Sequence, residues 1–190
     1  MPDPCNFHER FAGCAARIRV NQPPPRRRGM RLPAFDYSSP GAYFVTICAH
    51  EQRCVFGEIV NGGMKSSRIG AVVTACWNEI PAHFPYVELD AFALMPNHLH
   101  GLLRFVQAVG VGHARPLQTV IGSFKNAVSR RVSPGIWQRN YWERVVRTEK
   151  EASSIREYIE GNALRWAAGR GERGSADLTT FPLRESIKEN

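Results

Sequence analysis

The sequence predicts an α+β fold: one mainly antiparallel sheet with helices packed against it. Three observations predict it. Short β-branched and aromatic segments alternate irregularly with segments of helical periodicity. Two apolar segments, 87–95 and 98–106, meet at the kink Pro96-Asn97 and read as an antiparallel, hairpin-like pair. No internal repeat is present.

In chain order, residues 1–30 contain Pro23-Pro24-Pro25-Arg26-Arg27-Arg28-Gly29. Three prolines leave a ladder or helix interior short of donors, and three arginines repel one another, so this is an extended basic arm that meets an anionic partner. Order begins near Leu32 or Tyr37. The turn Ser38-Ser39-Pro40-Gly41 leads to the β-branched and aromatic strand 43–48, and a second strand spans 54–60 before the turn Asn61-Gly62-Gly63. In the helix at 68–84, Ile69, Val72, Val73, Cys76, Trp77 and Ile80 recur at three- and four-residue spacing. The strands 87–95 and 98–106 follow, then a loop at 107–115 with Gly110 and Gly112. A basic helix begins near Pro116 and buries Leu117, Val120, Ile121, Phe124 and Val128. Its Lys125, Arg130 and Arg131 lie mostly off that stripe. Residues 136–147 form a strand-like segment rich in aromatics and arginine. A last helix runs over 149–167, where Thr148 and Glu151 fit a capping box. The Gly- and charge-rich stretch 169–190 is a loose tail. The division is thus an arm at 1–30, one domain at 31–168 and a tail at 169–190.

Of 190 residues, 43% are hydrophobic and 22% charged, the balance of a soluble globular chain. No apolar run of about 18 residues is long enough to span a membrane. The first residues lack the apolar core of a secretory signal. Five cysteines, without Cys-x-x-Cys spacing, read as reduced thiols and not as a disulfide frame or zinc site. These features place the chain in the cytoplasm. A net charge of +8 favours an anionic partner, nucleic acid foremost.

The chemistry concentrates in Met95-Pro96-Asn97-His98-Leu99-His100-Gly101. Strand side chains alternate, so His98 and His100 share one face. They are either two hydrogen-bonded histidines on a sheet face or two ligands of one metal ion. The final helix carries a second anomaly. Ile155, Tyr158, Ile159, Asn162 and Trp166 fall on one stripe, which sets a phenol and a carboxamide four residues apart on a core-facing side. Each either satisfies a nearby backbone group or joins the histidines. Together, two neutral imidazoles and an amide oxygen would hold a divalent cation without cancelling its charge, leaving open positions for a phosphate oxygen and water. Tyr158 would be the nucleophile. A phenol with a pKa of about 10 needs a nearby cation to react.

These residues resemble the single-tyrosine HUH transposases, most closely the bacterial REP-associated tyrosine transposases. The resemblance covers residues 31–166. It rests on Leu32-Pro33-Ala34-Phe35-Asp36-Tyr37, Gly41-Ala42-Tyr43-Phe44-Val45-Thr46-Ile47-Cys48, the histidine motif, Phe124-Lys125, Trp137-Gln138-Arg139-Asn140-Tyr141, and Tyr158-Ile159 followed by Asn162. It implies a ferredoxin-like fold with the histidines on a central strand. It implies His98, His100 and Asn162 as ligands of Mg²⁺ or Mn²⁺, and Tyr158 as the nucleophile that cleaves single-stranded DNA to a 5′-phosphotyrosyl intermediate and a 3′-hydroxyl. A second 3′-hydroxyl reverses the step and joins strands. Palindromic hairpin DNA is the implied partner, with Arg26, Arg27, Arg28, Lys125, Arg130, Arg131 and Arg139 as DNA contacts. The implied protein is a nucleoid-associated monomer or homodimer. Two departures stand out. Members often read Tyr-Ile-x-x-Asn-Pro, where this chain has Gly161-Asn162-Ala163, and a histidine often stands where this chain has Arg144. A glycine inside a helix costs about 1 kcal/mol relative to alanine. The alternative is a repeat-DNA-binding protein that has lost its activity.

Overall fold

A computed structural model of the chain describes residues 40–106 and 116–168. The arm at 1–30, the onset near Leu32 or Tyr37, the loop 107–115 and the tail 169–190 lie outside the described residues. Strand β1 (Gly41–Cys48) is followed by a hairpin of β2 (Gly57–Val60) and β3 (Gly63–Ser66). Helices α1 (Arg68–Asn78) and α2 (Ile80–His83) lead to β4 (Val87–Leu94) and β5 (His98–Phe105). Then come α3 (Pro116–Arg131), β6 (Trp142–Val146), α4 (Glu149–Glu160) and α5 (Asn162–Ala167).

The main sheet has the order β4-β5-β1-β6 and is antiparallel throughout. That is the order of a β-α-β-β-α-β ferredoxin-like unit. The β2–β3 hairpin is inserted after its first strand, and α4 and α5 are added after its last. The α+β expectation and its hairpin at Pro96-Asn97 hold: Met95 N–H donates to His98 O at 2.8 Å. The turn is pinned from outside, because Ala49 N–H donates to Asn97 O and Phe56 N–H to Pro96 O.

The two faces of the sheet are covered differently. Tyr43, Val45, Ile47, Leu99 and Leu103 join Val73 and Trp77 of α1 and Leu117, Ile121 and Phe124 of α3 in the larger core. Phe44 and Leu102 face the other way, toward Ala152, Ile155 and Ile159 of α4. With both faces covered, β1 from Tyr43 to Ile47 and β5 from His98 to Leu103 are buried without alternation. Gly101 marks the closest approach on the larger core's side. A Cβ there would lie 2.3 Å from the Trp77 ring, so the indole occupies the place of a side chain.

Three expectations need correction. The helix over 68–84 is broken after Asn78, because Pro81 has no N–H to give to the carbonyl four residues back. Residues 63–66, unassigned by periodicity, form β3. Asn61 and Gly62 both take positive φ, 52° and 76°, and so build a tight two-residue hairpin turn. The last helix is two helices. Gly161, at φ −77° and ψ 1°, ends α4 and starts α5, so Tyr158 and Asn162 belong to different helices. The Thr148 cap is present, with Glu151 N–H donating to Thr148 Oγ1 at 3.1 Å. The Glu151 carboxylate does not close the box: it accepts from Arg147 N–H and from Arg144 Nε, tying α4 to β6.

Candidate active site

Cross-strand register places Thr46 of β1 opposite His100 of β5, and Cys48 opposite His98. The histidines, 5% and 0% exposed, therefore lie on the face covered by α4 and not on an open sheet. Each ring is held through Nδ1. His98 Nδ1–H donates to Asn97 Oδ1 at 2.6 Å, and His100 Nδ1 lies 2.8 Å from Thr46 Oγ1. The donor on Nδ1 of neutral His98 leaves its Nε2 with a lone pair. That Nε2 lies 3.1 Å from His100 Nε2. With the His100 proton also on Nδ1, donated to Thr46, two lone pairs face one another, an arrangement a shared cation relieves. With the proton on Nε2, the histidines hydrogen-bond each other. Both readings made from the sequence are thus chemically available to this geometry.

Burial keeps both rings neutral. It holds the His98 pKa down at about 4 and pushes His100 well below the usual histidine range, where His98 and Arg165 add to the shift. Neutral imidazoles are the form that binds metals.

Tyr158, in the last turn of α4, packs edge-on to His100 with ring centroids 5.3 Å apart, and to Phe44 at 6.1 Å. Trp166 of α5 lies 6.0 Å from His98. Asn162 falls midway in sequence between these two contacts. It is 2% exposed, and its Nδ2 has no hydrogen-bond partner. An amide NH₂ calls for an acceptor and not for a cation, so only the Asn162 Oδ1 could serve a metal. Two neutral ring nitrogens 3.1 Å apart fit a divalent cation held by neutral donors. Among the described residues no three His, Cys, Asp or Glu side chains cluster as a metal site, so an acid-rich ligand set is not offered.

The residues singled out for DNA are placed less uniformly. Arg26, Arg27 and Arg28 lie outside the described residues. Lys125 Nζ donates to the carbonyl oxygens of Gln138 and Arg139 at 2.7 and 3.1 Å, and burial lowers its pKa. In return Trp137 Nε1–H donates to Lys125 O. This lysine fastens the segment 137–139 to α3 instead of standing free for a phosphate. That segment is fastened to β1 as well, through Gln138 N–H to Cys48 O and His50 N–H to Ile136 O. Arg131 is paired with Glu79 through two bonds of 3.0 and 2.8 Å. Arg130 and Arg139 are exposed.

Sequence reasoning missed Thr46 and read Asn97 only as a kink. The available signal was parity: Thr46 is the polar residue two after Phe44 on a strand whose neighbours are apolar. Arg165 was missed as well. Its guanidinium Cζ lies 4.5 Å from the Tyr158 ring centroid, and its Nη2 donates to Tyr158 O. Nothing in the helical stripe marks it.

No family model matches the chain. Over 161 residues it is 37% identical to an uncharacterized protein of Haemophilus influenzae, spanning 74% of this chain and 89% of that one. Over 141 residues it is 22% identical to a candidate REP-associated tyrosine transposase of the same organism, spanning 68% and 74% respectively. Its fold is similar to that of a REP-associated tyrosine transposase solved bound to a REP hairpin. The TM-score is 0.51 at 15% identity, over 68% of this chain and 69% of that one.

Proposed function

We propose that the chain is a REP-associated tyrosine transposase, which nicks and rejoins single-stranded DNA at REP-type hairpins. The observation that carries the reading is the meeting of three side chains from distant segments: His98 and His100, with Nε2 atoms 3.1 Å apart, and Tyr158, its ring 5.3 Å from that of His100. Packing alone has no need of a buried, neutral histidine pair beside a phenol.

In this reading His98, His100 and Asn162 would hold a divalent cation, Mg²⁺ or Mn²⁺, which would supply positive charge to the transferring phosphate. Asn97 and Thr46 fix the imidazoles so that their Nε2 atoms converge. Tyr158 and Trp166 pack over the pair, so the scissile phosphate approaches at the half-buried Tyr158. Its Oη attacks phosphorus as the phenolic proton passes to solvent. The Oη–P bond forms, the P–O3′ bond breaks, and the leaving oxygen takes up a proton as a 3′-hydroxyl. The product is a 5′-phosphotyrosyl link, and attack by another 3′-hydroxyl restores Tyr158 and joins the strands. One phosphodiester replaces another, so no nucleotide is consumed. Exposed Arg130 and Arg139, with Arg26–Arg28 of the arm, are the DNA contacts in this reading, and Lys125 and Arg131 leave the set. Among the described residues no helix is long and apolar enough to cross a membrane, in keeping with action at the nucleoid.

The test is incubation with a synthetic single-stranded oligonucleotide carrying a REP-type hairpin, with Mg²⁺ or Mn²⁺. A covalent protein–DNA adduct that survives denaturation is expected, and Tyr158→Phe should abolish it while hairpin binding persists. Tight binding with no adduct in either metal would instead favour the alternative of a repeat-DNA-binding protein without activity. An adduct formed by Tyr158→Phe would place the nucleophile elsewhere.

A further inference from the structure

We infer that Arg165 is a positioning residue for Tyr158, and that position 161 is glycine so that the Arg165 guanidinium can reach it. The inference rests on the reading of Tyr158 as the nucleophile. Backbone conformation does not call for glycine here: φ is −77°, which any residue adopts. Space does. A Cβ on Gly161 would lie 2.8 Å from Arg165 Nη1, 3.2 Å from Glu157 O and 3.4 Å from Arg165 Cζ, so the guanidinium nitrogen is the tightest of its neighbours. Arg165 is four residues further on, where helical spacing stacks it over position 161. From there its guanidinium folds back across the junction of α4 and α5.

The guanidinium touches Tyr158 at both its backbone and its ring. Nη2 donates to the Tyr158 carbonyl near the end of α4, and Cζ lies 4.5 Å from the ring centroid. A cation at a helix C-terminus is favoured by the helix dipole as well. The ring thus meets Phe44 and His100 edge-on, at 6.1 and 5.3 Å, while Arg165 takes its face. Backbone and ring are fixed by the same group, so the direction of Oη is set by a residue outside the ligand set. An attacking oxygen held in line loses little of its rate to misorientation.

Two variants and their combination test this, read by single-turnover adduct formation on the hairpin oligonucleotide and by the ¹³C–¹H signal of the Tyr158 ring, which Tyr158→Phe identifies by its loss. Arg165→Gln should slow adduct formation about tenfold, the size of a ring-face cation contact and a charged hydrogen bond lost together. Hairpin affinity should stay within about twofold, since only the nucleophile's orientation changes. Gly161→Ala should slow the reaction similarly, because its methyl group displaces the guanidinium. In the double variant the second change should add nothing, as with residues acting through one contact. Both single variants should shift the ring signal in the same sense. Wild-type rate in Gly161→Ala, multiplicative losses in the double variant, an unmoved ring signal in Arg165→Gln, or losses that merely track the fraction folded would each overturn the inference. If the wild-type protein forms no adduct at all, the functional reading fails, while the ring signals still decide whether Arg165 holds Tyr158.

Discussion

His100 and Gly101 are neighbours in β5, equally buried, and placed on opposite faces of the sheet. On the Gly101 side aromatic packing dominates: the Trp77 indole fills the absent side chain, and Phe92 and Phe124 close around it at 5.2 and 5.4 Å. On the His100 side, apolar and polar groups come in zones along the strand. Arg104 joins Asp90, Arg156 and Glu149 in an ion-pair network, Leu102 packs on Phe44 and Ile155, and His100 and His98 meet Tyr158 and Trp166. One face makes the fold. The other, covered by two added helices, brings the chemistry-bearing residues together. A strand buried on both sides separates these tasks by parity alone.

Exchanging the two neighbours should break the comparison most sharply. His100→Ala should lower adduct formation at least about a hundredfold, the upper end of what losing even an outer partner of a metal ligand costs. The melting temperature should fall as well, since a fully buried ring and its bond to Thr46 are lost, so the rate is read per folded protein. Gly101→Ala should destabilise the protein by about 1–3 kcal/mol through overpacking against Trp77. Chemical denaturation would measure that loss, and the correctly folded fraction should keep its activity.

A smaller effect is expected in the ion-pair zone. Arg156 first, then Arg104, hold the Asp90 carboxyl below its ordinary pKa of 3.8. A carboxyl whose pKa falls on folding stabilises above its unfolded value and loses that contribution as pH drops through the folded one. Asp90→Asn should therefore cost about 1.5 kcal/mol at neutral pH. The difference from wild type should shrink below about pH 4, as followed by melting across a pH series. A pH-independent difference would mean that the carboxylate charge is not what matters. Smallest is Thr46→Val, which should cost about 1 kcal/mol or less of stability by removing one hydrogen bond. It would sharpen the comparison by weakening metal binding, measured by titration of Mn²⁺, more than it weakens the fold.

Much of this was legible in the chain because local rules apply. Alternation put His98 and His100 on one side, Pro96-Asn97 marked the turn between β4 and β5, and Thr148 marked the start of α4. The failures have local causes that were also present in the letters: Pro81 breaks the first long helix, Asn61-Gly62 makes a hairpin, and Gly161 divides the last helix. Lys125 is a different case. Its position off the apolar stripe of α3 suggested a free cation, but the chain at 137–139 returns to that side and its carbonyls accept the lysine's hydrogen bonds. Periodicity reports which side of a helix faces inward, not what another segment brings to the outward side.

By itself the sequence determined the fold class, the shared face of the two histidines and the presence of a tyrosine and an asparagine four residues apart near the end of the domain. Those follow from periods of two and 3.6 residues, which are properties of the backbone. Only the tertiary structure decided that Thr46 and Asn97 orient the imidazoles, that Tyr158 packs on His100 from a helix separate from that of Asn162, and that Arg165 lies on the tyrosine ring. These contacts join positions far apart in the chain or depend on how a side chain folds back over a helix junction. They are set by packing, for which no local period exists.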